Sequence, residues 1–208
     1  MPLFFNMNRV IACLLLLLPG YFCPVFSQNQ PGQISLAVDV LQGQVYQKTG
    51  SGELFSLLSG TGVFPVSTSI LTGNDGVVFV KPTKDTEFRL REDSSLNAIF
   101  SSTFVVRKGI VGVKVASDSI LIETPHTNMR LSNCIAVIKV NSLLSRICVI
   151  RGKAILRHGK RSLEEVILPA GFEIAASSGK ISAAYPYNDE LRYAWYWTTP
   201  ALEPSLQP

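Results

Sequence analysis

The chain has 208 residues, of which 47% are hydrophobic and only 16% are charged, a length that suits a single folded domain. Its apolar residues are spread along the chain and do not form repeated blocks of about 20, which excludes a polytopic membrane protein. The formal net charge of +4 falls short of the concentrated positive charge of a dedicated nucleic-acid binder. Two histidines and four cysteines leave few groups for metal or nucleophile chemistry.

The first 27 residues have the layout of a secretory signal peptide. Arg9 is the only charged residue there, a leucine-rich apolar run spans residues 10–18, and Ser27 ends a segment suited to cleavage. The apolar run is too short for a membrane-spanning helix, which needs about 20 residues. We therefore expect a periplasmic or secreted product that begins at Gln28 and keeps no transmembrane helix. An uncleaved anchor is one alternative, and lipidation at Cys23, which lacks a proper lipobox, is another.

After the signal peptide, apolar and polar residues alternate with the period of two that is typical of β-strands. Glycine, proline and asparagine interrupt this pattern, and we expect Pro82, Gly109 and Gly152 to be strand boundaries. The pattern predicts an all-β fold of roughly ten or more short strands, arranged as a sandwich, a barrel or an irregular β-solenoid. The clearest runs place on one face Ile34, Leu36, Val38 and Val40; Phe88 and Leu90; Val111, Val113 and Val115; Ala136, Ile138 and Val140; and Ile147 and Val149.

We expect one β domain over residues 28–187. A short terminal helix is predicted for residues 188–198, because Asn188 can cap it and apolar residues recur with helical spacing. Residues 199–208 contain three prolines, which predicts a disordered tail.

Cys134 and Cys148 remain after signal cleavage, in a compartment that permits disulfides. If the strands around them turn at residues 141–144, the two side chains point to opposite faces, because side chains alternate along a strand. A register shifted by three residues would place them opposite each other. A disulfide between them and two separate thiols, with Cys134 buried as a small hydrophobic residue, therefore both stay open.

A series of short motifs follows in a fixed order along the β domain. In chain order they are Leu57-Leu58-Ser59-Gly60, Ile70-Leu71-Thr72-Gly73, Asp93-Ser94-Ser95-Leu96, Lys108-Gly109-Ile110-Val111, Thr124-Pro125, Ile147-Cys148-Val149-Ile150-Arg151-Gly152 and Leu168-Pro169-Ala170-Gly171. This order resembles the FecR domain family, the periplasmic module of the iron-dicitrate transport regulator. The resemblance covers residues 40–181 and implies a FecR-like sandwich or irregular β-solenoid.

One position departs from the family pattern. Where the family has arginine-glycine-threonine before a hydrophobic strand, this chain has Ser132, Asn133 and Cys134. Asparagine tolerates the left-handed backbone conformation that glycine favours, so we expect the turn to survive the change. Because only eight residues precede Arg9, we also expect no cytoplasmic anti-sigma segment. The resemblance then implies a stand-alone exported domain.

The sequence gives little support for an active site. His126 and His158 lie in expected turns without a nucleophile motif, and we expect both at the surface. No two cysteines or histidines have the spacing of zinc ligands, and the glycine-rich segment 60–62 lacks a P-loop lysine. We therefore expect no catalytic residue, no metal and no cofactor. The alternative is an enzyme that acts on an envelope polymer through carboxylates from distant strands.

Two features suggest binding. Residues 146–161 hold six basic residues and no acidic one, and Arg151, Lys153 and Arg157 share strand parity, so they would lie on one outward face. This face is either simply solvated or binds an anionic partner such as an envelope glycan, a lipid head group or an acidic protein. Near the C-terminus, Trp195 and Trp197 belong to an aromatic segment that either packs on the sheet or forms a recognition patch.

We therefore predict an exported, non-catalytic FecR-like domain that binds, senses or acts as a scaffold in the cell envelope. Its expected partner is an envelope protein or glycan, and we expect no nucleic-acid partner. The sequence leaves the oligomeric state open.

Overall fold

The computed structural model describes residues 35–50, 54–158, 164–178, 180–188 and 190. These residues form fifteen β-strands, which confirms the prediction of an all-β fold. The strands are β1 (Ser35–Gln42), β2 (Val45–Thr49), β3 (Ser56–Leu58), β4 (Thr61–Pro65), β5 (Thr68–Thr72), β6 (Val77–Thr83), β7 (Thr86–Leu90), β8 (Ser95–Phe100), β9 (Thr103–Glu123), β10 (Asn128–Val140), β11 (Leu144–Arg157), β12 (Glu165–Pro169), β13 (Phe172–Ser177), β14 (Lys180–Ile181) and β15 (Tyr185–Pro186).

All of these strands belong to one open sheet, and each of its pairings is antiparallel. The longest path through the sheet runs β14-β13-β11-β10-β9-β7-β6-β1-β4. β12 pairs with β11, and β15 pairs with β13. A second arm, β3-β2-β5-β8, joins the sheet at β9.

The long strand β9 connects the two arms and bends between them. Its first part pairs with β8, whereas the part after Gly109 pairs with β7. Gly109 has a φ of +91°, and a Cβ at this position would lie 2.2 Å from Ser94 Oγ, so only glycine fits the bend. The aromatic rings of Phe88 in β7 and Phe104 in β9 pack with their centroids 4.5 Å apart. The sheet is therefore folded over its own core.

The main core is one apolar cluster that takes residues from both arms. Nearly all the inward positions predicted from the alternating pattern are buried in it, and Val40 packs against it while only partly buried. The residues that were predicted to point inward and are buried in this core are Leu36, Val38, Phe88, Leu90, Val111, Val113, Val115, Ala136, Ile138, Val140, Ile147 and Val149. The strand parity read from the sequence is thus confirmed at these positions.

Some expected boundaries are wrong. β9, β10 and β11 have 21, 13 and 14 residues, so these strands are not short. Gly109 and Gly152 lie inside strands, where they allow a bend and a bulge. Pro82 lies inside β6, at a shift of register between Val80 and Thr83. A glycine or proline in a strand often marks such an irregularity, and the sequence pattern alone does not distinguish it from a turn.

Several expectations concern residues outside the described ranges. These are the signal peptide at residues 1–27, the inward position Ile34, the tail at 199–208, and the helix at 188–198 except for Asn188 and Glu190. No helix in the described ranges has the length and apolar character needed to cross a bilayer.

Candidate functional site

β10 and β11 form the hairpin that carries the expected basic face, and an asparagine holds its turn. The backbone N–H of Asn141 donates to the carbonyl of Leu144 at 3.0 Å. The side-chain oxygen of Asn141 accepts the backbone N–H groups of Leu143 and Leu144, each at 2.9 Å. The chain therefore turns at residues 141–144, and this turn sets the register of both strands.

A small apolar cluster lies on the face of β10 and β11 that is turned away from the main core, which we call the outer face. Its buried members are Val137 and Cys148, and partly buried Ile110, Ile135, Ile150 and Tyr187 pack against them. We call this set the outer cluster. Tyr187 follows the last strand, so the end of the domain helps to cover this face.

The hairpin register separates the two cysteines. Cys148 pairs with Val137 and lies in the outer cluster, whereas Cys134 pairs with Val115 and lies in the main core. Both are free thiols, and burial raises the pKa of each to about 12. The structure thus holds two separate thiols and not the disulfide, because side chains on opposite faces of a sheet cannot reach each other for a sulfur–sulfur bond.

A bulge interrupts the hairpin where the chain departs from the FecR pattern. Ser132 pairs with Lys153 and Ile135 with Arg151, so two residues of β10 lie against one residue of β11. Asn133 has a φ of +45°, which confirms that asparagine adopts the left-handed conformation here. Opposite it, residue 152 has a φ of +80°, and a Cβ there would lie 2.1 Å from the Asn133 carbonyl oxygen. This position therefore requires glycine.

The three expected basic residues all lie on the outer face. Arg151 pairs directly with Ile135 of the outer cluster, and directly opposed side chains share one side of a sheet. Lys153 precedes, and Arg157 follows, a residue that is buried in the main core, so both of these cations point away from that core. All three side chains are exposed.

Arg157 is nevertheless neutralised by a neighbouring strand. Its guanidinium donates two hydrogen bonds to Glu165 Oε1 on β12, one of them from Nε at 2.9 Å. Arg151 and Lys153 have no side-chain hydrogen bond or ion pair in the described part of the chain. Two of the three expected cations therefore remain open to a partner.

Arg146, another member of the basic stretch, is also paired. It donates two hydrogen bonds to Glu173 Oε1, at 2.6 and 3.2 Å, and the Glu173 side chain is only 1% exposed. These bonds raise the pKa of Arg146. Glu190 accepts a hydrogen bond from Lys139 at 3.0 Å and lies 3.9 Å from Arg146, and the bond from Lys139 lowers the pKa of Glu190. Among the described residues of this charged group, both cations, Lys139 and Arg146, are therefore paired with carboxylates.

Two further cations, which the sequence analysis missed, lie beside Arg151 and Lys153. Lys114 of β9 pairs with Ile135, in the same row as Arg151, and Arg130 of β10 is an exposed outer residue two positions before Ser132. Neither side chain has a partner among the described residues. We call Lys114, Arg130, Arg151 and Lys153 the basic surface. The sequence could have indicated both cations, because each lies between two residues that point inward. Lys114 lies between Val113 and Val115, and Arg130 lies between Met129 and Leu131, so alternation along the strand turns both cations outward.

His126 is buried, so the expectation that it lies at the surface is wrong. Its Nδ1 lies 2.9 Å from Ser145 Oγ, the Ser145 hydroxyl donates to Thr124 Oγ1 at 3.0 Å, and the Thr124 hydroxyl donates to the Thr127 carbonyl at 2.9 Å. Each hydroxyl has one proton, so His126 Nδ1 must be the donor to Ser145. Ser145 is fully buried and cannot attack a substrate, which makes this chain of hydrogen bonds structural.

The two histidines of the chain border one cleft. It has a volume of about 270 Å³ and is lined by His126, His158, Glu123 and Ser178, among others. His158 is partly buried, not fully exposed. In the described ranges no three or more His, Cys, Asp or Glu residues are placed to hold a metal ion. Among the described residues, this cleft therefore offers no set of metal ligands.

The aromatic patch stays a prediction. Trp195 and Trp197 lie outside the described residues, as do Lys160 and Arg161 of the basic stretch. Within the described part, Tyr185 is 40% exposed. Burial and the nearby Glu173 carboxylate raise the pKa of Tyr185.

No protein-family model and no curated protein matches the chain. Two crystal structures described as a candidate anti-sigma factor from Parabacteroides distasonis ATCC 8503 are similar to it, with TM-scores of 0.51 and 0.50. Each is 15% identical and covers 62% of this chain. The similarity covers 64% and 63% of the two neighbours, so it spans less than two thirds of their length. At this identity the similarity shows a shared fold.

Proposed function

We propose that the chain is an exported, non-catalytic FecR-like domain that serves as a binding, sensing or scaffold module in the cell envelope. The basic surface is the part that contacts an anionic partner. The shared fold with structures described as a candidate anti-sigma factor is compatible with a non-catalytic regulatory module.

The observation that carries the proposal is the set of unpaired cations on one exposed sheet face. Elsewhere on this face the cations are satisfied, Arg146 by Glu173 and Arg157 by Glu165. Lys114, Arg130, Arg151 and Lys153 have no such partner in the described ranges. Uncompensated charges on neighbouring strands add to one local field, which attracts an anionic surface and orients it.

The enzyme alternative would need carboxylates brought together from distant strands. Among the described residues one carboxylate side chain, that of Glu173, is buried. Its Oε1 accepts two hydrogen bonds from Arg146, and no second carboxylate in the described ranges is buried beside it. No observation in the described ranges favours the enzyme, so we propose the binding role alone.

The proposal is tested by capture from an envelope extract with the purified protein as bait. Changing Arg151 and Lys153 to Ser should weaken capture about tenfold and leave the melting temperature nearly unchanged, since exposed charges contribute little to folding. Capture by the parent protein should also fall steeply as salt rises from about 0.1 M to about 1 M, because the Debye length shrinks from about 10 Å to about 3 Å.

The matched control changes Lys81 and Arg107 to Ser. Both are exposed and lie away from the basic surface, so this variant loses the same charge and should retain capture. Capture that resists salt and survives the Arg151 and Lys153 changes would contradict the proposal. If Trp195→Ala or Trp197→Ala then abolished it, the aromatic segment would be the binding element.

A further inference from the structure

A cleft opens in the basic surface beside the bulge. Its volume is about 160 Å³, and its walls include Lys114, Ala116, Asn133, Ile135 and Arg151. The cleft exists because the strands on both sides are irregular. Asn133 leaves the ladder on β10, and on β9 three residues, 116–118, stand between the paired positions Val115 and Ser119.

Two cations border this cleft from opposite sides. Lys114 on β9 and Arg151 on β11 both pair with Ile135 on the strand between them. Neighbouring strands are about 4.8 Å apart, so the two backbones are separated by about 10 Å and their long side chains can both reach a group placed between them. The cleft therefore has a cationic side chain on each of two sides.

The acidic residue in this row is already paired with another cation. Glu87 pairs with Lys114 across β7 and β9, but its carboxylate accepts a hydrogen bond from Arg89 Nε at 2.5 Å. Asp85, which lies near the β9 irregularity, accepts a hydrogen bond from the Ser117 hydroxyl at 2.8 Å. The wall residue Cys134 adds no charge, because burial raises the pKa of its thiol to about 12. The Ser117 hydroxyl is neutral, so it does not pair Asp85 with a cation, but no acidic residue is among the described residues that line the cleft.

We propose that this cleft binds a phosphate group between Lys114 and Arg151. Two cations match a group that carries nearly two negative charges, as a phosphate monoester does, better than a carboxylate with one. Arginine presents a planar set of donors to two oxygens, lysine adds a compact charge, and the Asn133 amide lies in the same wall. The inference rests on the proposed function, since Arg151 belongs to the basic surface, and it names the chemical group by which the anionic partner is recognised.

Calorimetric titration with inorganic phosphate at low ionic strength tests the site. The parent protein should bind saturably, and the double change Lys114→Met and Arg151→Met should weaken binding at least about tenfold. The matched double change Lys81→Met and Arg107→Met should alter it by less than about twofold. Circular dichroism and the melting temperature confirm that both variants fold. Acetate should bind the parent at least about tenfold more weakly than phosphate.

Vesicles distinguish the sources of the phosphate. Sedimentation with phosphatidic acid vesicles, but not with phosphatidylcholine vesicles, together with phosphate binding would support the cleft and place the phosphate in a lipid head group. Phosphate binding without vesicle binding would support the cleft with a soluble phosphate compound. Absence of saturable phosphate binding, or equal binding by the cleft variant and the parent, would overturn the inference.

The two proposals can fail separately. If phosphate does not bind but envelope capture still depends on Arg151, Lys153 and salt, the phosphate site is wrong and the binding role remains. If phosphate binds at the cleft but capture is independent of Arg151 and Lys153, the role of the basic surface in partner binding is wrong.

Discussion

Ser145 is placed near the start of β11, where its hydroxyl links two parts of the chain. It receives a hydrogen bond from His126 and donates one to Thr124, in the loop between β9 and β10. The Thr124 side-chain oxygen also accepts the backbone N–H groups of His126 and Thr127, at 3.3 and 3.0 Å. The Thr124-Pro125 motif of the FecR resemblance therefore has a structural role here, which is to hold this loop against the hairpin.

Replacing Ser145 by Ala should lower the free energy of unfolding by about 1 to 3 kcal/mol, because the buried donor of His126 loses its acceptor. Urea denaturation measures this change. Ser119→Ala serves as the control, since Ser119 is exposed on β9 and its loss should cost less than about 0.5 kcal/mol. Equal effects of the two substitutions would mean that the buried hydrogen bonds contribute nothing net.

Two glycines with similar backbone conformations should respond differently to alanine. Gly152 and Gly171 have φ of +80° and +89°, but a Cβ at Gly171 would meet nothing within 4 Å, whereas one at Gly152 would strike the Asn133 carbonyl. Gly171→Ala should cost about 1 to 2 kcal/mol from backbone strain alone. Gly152→Ala should cost clearly more, because a backbone atom of the bulge must move. Thermal unfolding measures the stability of the two variants. An equal loss of stability would show that the bulge accommodates the added Cβ without cost.

Among the elements, the β10–β11 hairpin decides the state of the cysteines. Its turn and register place Cys134 and Cys148 on opposite faces, one in each apolar cluster. Both thiols are buried, and their raised pKa values leave almost no reactive thiolate near neutral pH. The thiols therefore act as small apolar residues in the folded protein.

We expect neither thiol to react with iodoacetamide in the folded protein and both to react after unfolding in guanidinium without reductant. Mass spectrometry counts the labels. A parallel sample reduced before labelling is the control and should carry the same number of labels. Labelling that appears only after reduction would establish a disulfide and, with it, a hairpin register different from the one described.

For the whole molecule, export is the premise on which the envelope role depends. The apolar run at residues 10–18 is shorter than the roughly 20 residues that a spanning helix needs, and Arg9 precedes it as in a signal peptide. Residues 1–27 lie outside the described ranges, and export stays a prediction.

We expect the mature protein to begin at Gln28 when it is produced in a bacterial host with an intact export pathway. Mass spectrometry of the periplasmic fraction gives the N-terminus directly. A variant with Leu14 and Leu16 changed to Arg should stay unprocessed, since charges in the apolar run block its recognition as a signal. A parent product that retains residues 1–27, or that carries acyl chains, would contradict the soluble envelope assignment.

Alternation along the chain determined the strand class and the inward residues, because burial of every second side chain is a local property of a strand. The runs around Phe88, Val113 and Ile138 therefore identified core positions without knowledge of the strands beside them. The turn at residues 141–144 and the left-handed Asn133 were equally predictable, because the preferences of asparagine act within a few residues.

Only the tertiary structure decided what depends on partners distant in sequence. Glycine permits turns, bends and bulges alike, so the strand opposite Gly109 or Gly152 decides which one forms. Whether a cation is paired depends on a carboxylate from another strand, as Glu165 of β12 pairs with Arg157 of β11. The buried His126 ring finds its hydrogen-bond acceptor in Ser145, 19 residues away along the chain. Hydrogen bonds and ion pairs act over a few ångströms in space, and folding, not spacing along the chain, determines which groups come that close.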